Sequence, residues 1–93
     1  MAKLNETEVA QRLKALPQWA REGDAIRKTF TFGKFAEGIR FVDRVAVQAD
    51  AMDHHPDIDI RYTKITTTLS THSAGGLTAK DFDLAAKIDA AAR

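Results

Sequence analysis

Among 93 residues there are only three histidines, and two of them are adjacent. Residues 48–57 read QADAMDHHPD, with His54 and His55 held between Asp53 and Pro56. Imidazole titrates near 6.5, so at neutral pH it is present both as acid and as base. Several imidazoles around one ligand therefore suit a reaction that gives a proton to one atom and takes a proton from another. Asp50 lies four residues before His54, so on a continuous helix the two side chains share a face. A carboxylate there favours the imidazolium and orients the ring. The third histidine, His72, stands in THSAGG, and Asp81 follows in TAKD.

Each of these residues also has a plainer role. A histidine near a helix C-terminus meets the negative end of the helix dipole, an effect of about 0.3–1 kcal/mol. One cap suffices for that, and here there are two rings. Strand parity puts His72 with Thr66, Thr68 and Ser70 on a polar face, as a solvated residue. Thr78 and Asp81 have the spacing of a capping box. Trp19 fits the core of a hairpin, or an aromatic wall for a flat ligand. Zinc accepts three nitrogen ligands and a water. However, two adjacent histidines do not share a helix face, and the chain has no HExxH or HxH pattern, so no metal is expected.

The elements that must position these groups can be read from periodicity. LNETEVAQRLKAL predicts a helix capped by Asn5 and Glu8, with Val9, Leu13 and Leu16 on one stripe and Pro17 ending it. AIRKTFTF alternates, with Ile26, Phe30 and Phe32 inward, and Gly23-Asp24 makes QWARE its hairpin partner. KFAEGIRFVDRVAVQADAM is the longest helical pattern. It carries one apolar stripe of Phe35, Ile39, Val42, Ala46 and Ala49, and a second of Phe41, Val45 and Met52, so it has two surfaces to cover. DIDIRY and KITTTLST alternate around Ile58, Ile60 and Tyr62, then Ile65, Thr67 and Leu69. With about one residue between them, they read either as one long bent strand or as a pair whose turn lies nearer residues 57–61. HSAGG is a loop, and LTAKDFDLAAKIDAAAR is the final helix. This order predicts an α+β fold of antiparallel strands with helices on one face.

Composition narrows the setting. The length suits one domain over residues 1–93, burying roughly 60–65% of its unfolded surface. The absence of cysteine excludes disulfides, iron–sulfur clusters and thiolate zinc sites. Fourteen basic residues against thirteen acidic ones give a net charge of +1, which offers no electrostatic footprint for nucleic acid. MAKLNETEVA lacks the apolar core of a secretion signal, and no apolar run approaches the ~20 residues that span a bilayer. A soluble, cytoplasmic protein without membrane partners is expected.

Taken together, Asp50, His54-His55-Pro56, Tyr62, His72 and Asp81 stand at the spacings of a known signature. The pattern resembles the pterin-4a-carbinolamine dehydratases, and the likeness covers nearly the whole chain. AIRKTFTF with KFAEGIRFVDRVAVQAD is similar to that family's strand and long helix, YTKITTTLSTHSAGGLTAKDFDLA is similar to its second half, and Trp19 matches a tryptophan the family carries. The resemblance implies a four-stranded antiparallel sheet with three helices on one face, in the order helix-strand-strand-helix-strand-strand-helix. It also implies homodimers that pair into homotetramers through helices. The implied activity is dehydration of 4a-hydroxytetrahydropterin to quinonoid dihydropterin, in tetrahydrobiopterin recycling. His54, His55, His72 and Asp81 match the family's catalytic positions. Trp19, Asp50, Pro56, Thr71, Ser73 and Ala74 match substrate-contacting ones. No cofactor is implied, because the reaction also runs slowly unaided and acid–base groups supply ~10²–10⁴-fold. Two positions depart from the family: Asp50 stands where glutamate is usual, and DIDIRY is more polar than the commoner aromatic version. The resemblance extends to non-catalytic relatives, a dimerisation cofactor of a transcription factor and assembly chaperones. Their roles would use the helix surface around Phe41, Val45 and Met52 rather than the histidines.

Overall fold

A computed structural model describes residues 2–93. Helix α1 spans Glu6–Lys14, where Asn5 and Glu8 form the expected capping box: Asn5 Oδ1 accepts the Glu8 amide at 2.8 Å, and Glu8 Oε1 accepts the Asn5 amide at 3.0 Å. Strands β1 (Ala20–Glu22) and β2 (Ala25–Thr31) form a hairpin around Gly23 and Asp24. Gly23 sits at φ 57°, a conformation glycine adopts without steric cost. Helix α2 covers Phe35–Met52. It is followed by β3 (Asp57–Arg61), β4 (Lys64–Leu69), a short 3₁₀ turn over His72–Ala74, and α3 (Ala79–Ala91).

The four strands form one antiparallel sheet in the order β1-β2-β4-β3. Alternation decides its faces. Ile26 opposes Leu69 and Phe30 opposes Ile65, and all four are buried on the side the helices cover. Val9 and Leu16, Phe41 and Val45, and Phe82, Leu84 and Ile88 close that core from the helix side. Phe41 lies 4.8 Å from Phe30 and 5.1 Å from Phe32, ring centre to ring centre. The opposite face carries Arg27, Thr29, Thr66 and Asp59, where the Thr29 and Thr66 hydroxyls bond at 2.8 Å. The architecture is the predicted α+β fold, with three helices on one face of four strands.

Three local readings change. The stripe of α2 that enters the core is Gly38, Phe41, Val45 and Ala49; Phe35 and Ala46 are exposed, while Ile39, Val42 and Met52 are half-buried. A side chain larger than hydrogen at 38 would crowd the sheet, since a Cβ there would lie 3.3 Å from Ile65 Cδ1. Phe41 and Val45 are therefore core, not a free docking surface; the exposed apolar residues are Phe35, Val47, Ile58, Ile60 and Tyr62. The β3–β4 connection is neither a single bent strand nor a turn inside 57–61. It is a two-residue turn at Tyr62 and Thr63, with Arg61 paired to Lys64 and Tyr62 at φ 52°. Finally, β4 stops at Leu69, so strand parity does not extend to His72, which lies in the 3₁₀ turn.

Candidate active site

The histidines gather at one end of the sheet. Asp57 opposes Thr68, so the segment before β3 arrives beside the chain that leaves β4. Helix α2 ends because Asp53 turns left-handed, at φ 49°; short polar residues tolerate this conformation best after glycine. The His54 amide then bonds back to the Ala49 carbonyl at 3.1 Å. This terminus decides which carboxylate each ring meets. His54 has left the helix, so Asp50 does not face it as the four-residue spacing predicted. Asp50 Oδ1 instead meets His55 Nε2 at 2.9 Å, on the surface. Pro56, half-buried, follows.

His54 turns inward. Its Nε2 lies 2.6 Å from Oδ1 of Asp81, a carboxylate with no solvent exposure. Asp81 is the third residue of α3, where the capping-box spacing placed it. Its Oδ2 accepts the Thr78 amide at 2.9 Å and the Thr71 hydroxyl at 2.8 Å. The Thr71 proton is thereby committed, so the 2.9 Å contact between the two threonine hydroxyls has Thr78 as donor. Burying a carboxylate is costly unless it is fully hydrogen-bonded, and this network bonds it from three sides. It also ties the His54 segment to Thr71, the residue before His72.

The chain after Thr71 closes on itself. Thr71 and Gly76 exchange backbone bonds at 3.1 and 3.3 Å, and Gly75 takes φ 75°. Within that loop His72 and Ser73 are exposed and Ala74 is half-buried. The structure thus joins His54, Thr71, Thr78 and Asp81 in one network, pairs His55 with Asp50 on the surface beside it, and carries His72, Ser73 and Ala74 in the loop that follows Thr71.

Trp19 is not among them. It is buried against Phe30, 6.3 Å away edge to face, and its Nε1–H donates to Asp89 Oδ1 at 3.1 Å. Asp89 is eight residues along α3 from Asp81, about 12 Å of helix. Within this chain Trp19 is the hairpin core residue rather than an aromatic wall. Thr78 escaped the sequence reading as a site residue, although the capping box pointed to its position. Among the described residues, no three His, Asp or Glu side chains come close enough to hold a metal ion.

Known proteins share the sequence and the fold of this chain. Residues 2–91 match the family model described as pterin 4 alpha carbinolamine dehydratase. The chain belongs to that family. A protein of Roseiflexus castenholzii, provisionally named for this dehydratase activity, is 58% identical over 95% of both chains. One from Mycobacteroides abscessus, named in the same provisional way, is 51% identical over 96% of this chain and 95% of its own. Among solved structures, a transcriptional coactivator/pterin dehydratase from Brucella melitensis superposes with a TM-score of 0.94 at 34% identity, over 98% of this chain and 99% of that one. A pterin dehydratase-like protein identified as a RuBisCO assembly factor in the alpha-carboxysome superposes at 0.69 with 28% identity, over 81% and 89%. Dehydratase-family folds thus include proteins of other roles. No helix of the described chain is long and apolar enough to cross a membrane.

Proposed function

We propose that this protein is a 4a-hydroxytetrahydropterin dehydratase, a hydro-lyase acting in tetrahydrobiopterin recycling through histidine acid–base catalysis. Family membership supports the substrate class. The observation that carries the mechanism is the buried Asp81, which holds His54 and anchors the segment bearing His72. In the reaction the C4a–O bond breaks and its electron pair leaves with oxygen, which takes up a proton and departs as water. The N5–H bond gives up its proton, and that electron pair forms the C4a=N5 double bond. One group must donate a proton and another must accept one.

His55 and His72 are the proton-transferring pair in this reading, because both residues are open to solvent, whereas His54 is turned inward onto Asp81. His54 is the orienting ring, fixed by Asp81, and Asp50 sets the orientation and charge of His55. Pro56 and residues 71–74 supply walls and backbone around the pterin. Positioned acid–base groups contribute ~10²–10⁴-fold, enough for a step that also proceeds slowly unaided. The test is the ultraviolet absorbance decay of freshly generated 4a-hydroxytetrahydropterin. Wild-type protein accelerates it, His55→Ala loses the acceleration, and chelator leaves it intact. No acceleration by folded wild-type protein refutes the proposal.

A homodimer or homotetramer goes with this reading. Edge strand β3 is exposed along its whole length, with Ile58 and Ile60 on its helix-side face and Phe35 stacked on Tyr62 nearby at 6.5 Å. An uncovered apolar edge of this kind favours pairing with a second chain.

A further inference from the structure

On the far side of His72 from the His54 segment lies a recess of about 290 Å³. It is lined by Asp24, Ala25, Ser70, Thr71, His72, Gly75 and Gly76. Its position follows from the sheet order. β4 runs between β3 and β2, so the chain leaving β4 has His54 and His55 on one side and the β1–β2 turn on the other. Ile26 opposes Leu69, which brings Asp24 and Ala25 up against Ser70 and His72. His72 therefore lines this recess and directly follows Thr71, which Asp81 ties to His54.

The lining says what fits. Apart from His72 itself the recess holds no ring, so it lacks the two flat walls that would sandwich a bicyclic ligand. It offers instead an acceptor-only carboxylate, a serine hydroxyl and glycine backbone. Arg21, on the neighbouring strand, spends its hydrogen bonds on Glu6 and the Gly23 carbonyl, and reaches Asp24 only through its charge. A carboxylate on a small recess whose lining is more apolar than polar is matched by a short alkyl group bearing neutral hydroxyl donors.

We infer that this recess binds the hydroxylated alkyl substituent of the pterin, with Asp24 accepting hydrogen bonds from its hydroxyl groups while the bicyclic ring lies among the histidines. The inference rests on the dehydratase reading for its ligand and extends it to side-chain specificity. Glycine at 75 and 76 shapes the loop that borders the recess: Gly75 takes a positive φ, and a Cβ at Gly76 would meet the Lys3 side chain at 2.8 Å.

The experiment compares two 4a-hydroxytetrahydropterins, one with a 1′,2′-dihydroxypropyl group at C6 and one with methyl. Wild-type protein prefers the first. Asp24→Ala lowers the ratio of their kcat/KM values about tenfold, mainly through KM, as expected for loss of hydrogen bonds to a charged acceptor. Asp24→Glu recovers part of it. Position 24 has negative φ in an exposed turn, so alanine fits its backbone. A ratio that Asp24→Ala leaves unmoved overturns the inference. If wild-type protein turns over neither substrate, the dehydratase reading falls separately. The stable 7,8-dihydropterins bearing the same two substituents then serve as probes, by fluorescence titration. Preferential binding of the hydroxylated one, lost in Asp24→Ala, upholds the inference; equal binding overturns it.

Discussion

Removing the Asp81 carboxylate separates its structural from its chemical role. In Asp81→Ala the Thr78 amide loses its cap, at about 1 kcal/mol. The Thr71 hydroxyl and the His54 ring, whose side chain is only 11% exposed, lose a charged acceptor. A hydrogen bond to a charged group is worth roughly 1.5–3 kcal/mol, and a polar group left buried and unpaired costs about 1–3 kcal/mol. These contributions overlap because they share one carboxylate, so roughly 2–4 kcal/mol is the expected loss, or a Tm lower by about 10–25 °C for a domain of this size. Asp81→Asn behaves differently. Its amide oxygen still accepts the Thr78 amide and the Thr71 hydroxyl, while its NH₂ now points at His54 Nε2. That nitrogen must become an acceptor, and the ring tautomer inverts. Stability falls by only about 1 kcal/mol, while the catalysed rate falls roughly 10–100-fold, part of what a positioned acid–base group contributes. Thermal denaturation and the absorbance decay assay measure the two effects. Asp81→Ala within 0.5 kcal/mol of wild type, or Asp81→Asn with full activity, would refute this account of the network.

Three further outcomes follow from other contacts. Thr67 is fully buried and its hydroxyl has no hydrogen-bond partner among the described residues, so Thr67→Val should raise stability by about 1 kcal/mol in urea denaturation. Asp89 Oδ1 accepts from both Trp19 Nε1 and Lys28 Nζ, so Asp89→Ala should cost about 1–3 kcal/mol and shift tryptophan fluorescence, about 12 Å from the catalytic end. The Arg21 hydrogen bond, with its charge, holds the Glu6 carboxyl below its ordinary value. A depressed acid stabilises the fold above its unfolded value, and that contribution disappears as pH falls through the folded one. An NMR titration should therefore show Glu6 moving up to the ordinary carboxylate range in Arg21→Ala.

The sequence made the scaffold legible wherever local rules suffice. Asn5 with Glu8, and Thr78 with Asp81, announce helix starts because capping is a three-residue interaction. Alternation announced β2 and β4 because one face is buried and the other is not. The failures have physical causes. The core stripe of α2 passes through Gly38, which has no side chain to count as apolar, so the periodicity divided among Phe35, Ile39 and Phe41. Tyr62 turns the chain at positive φ, which an aromatic residue gives no reason to expect. The partners of the histidines changed because Asp53 ends α2 early enough to free His54, and the spacing to Asp50 assumed that the helix continued. The pairing of His54 with Asp81, 27 residues apart, is a tertiary contact that only the folded sheet creates.

The central claim is that exposed histidines on two different segments exchange protons with the pterin. Its most direct test is the catalysed rate of 4a-hydroxytetrahydropterin dehydration by His72→Ala, measured beside wild type on protein shown to be folded. The account predicts a loss of about a hundredfold or more, in line with removal of a positioned acid or base. An unchanged rate would contradict it, because His72 would then have no part in the chemistry.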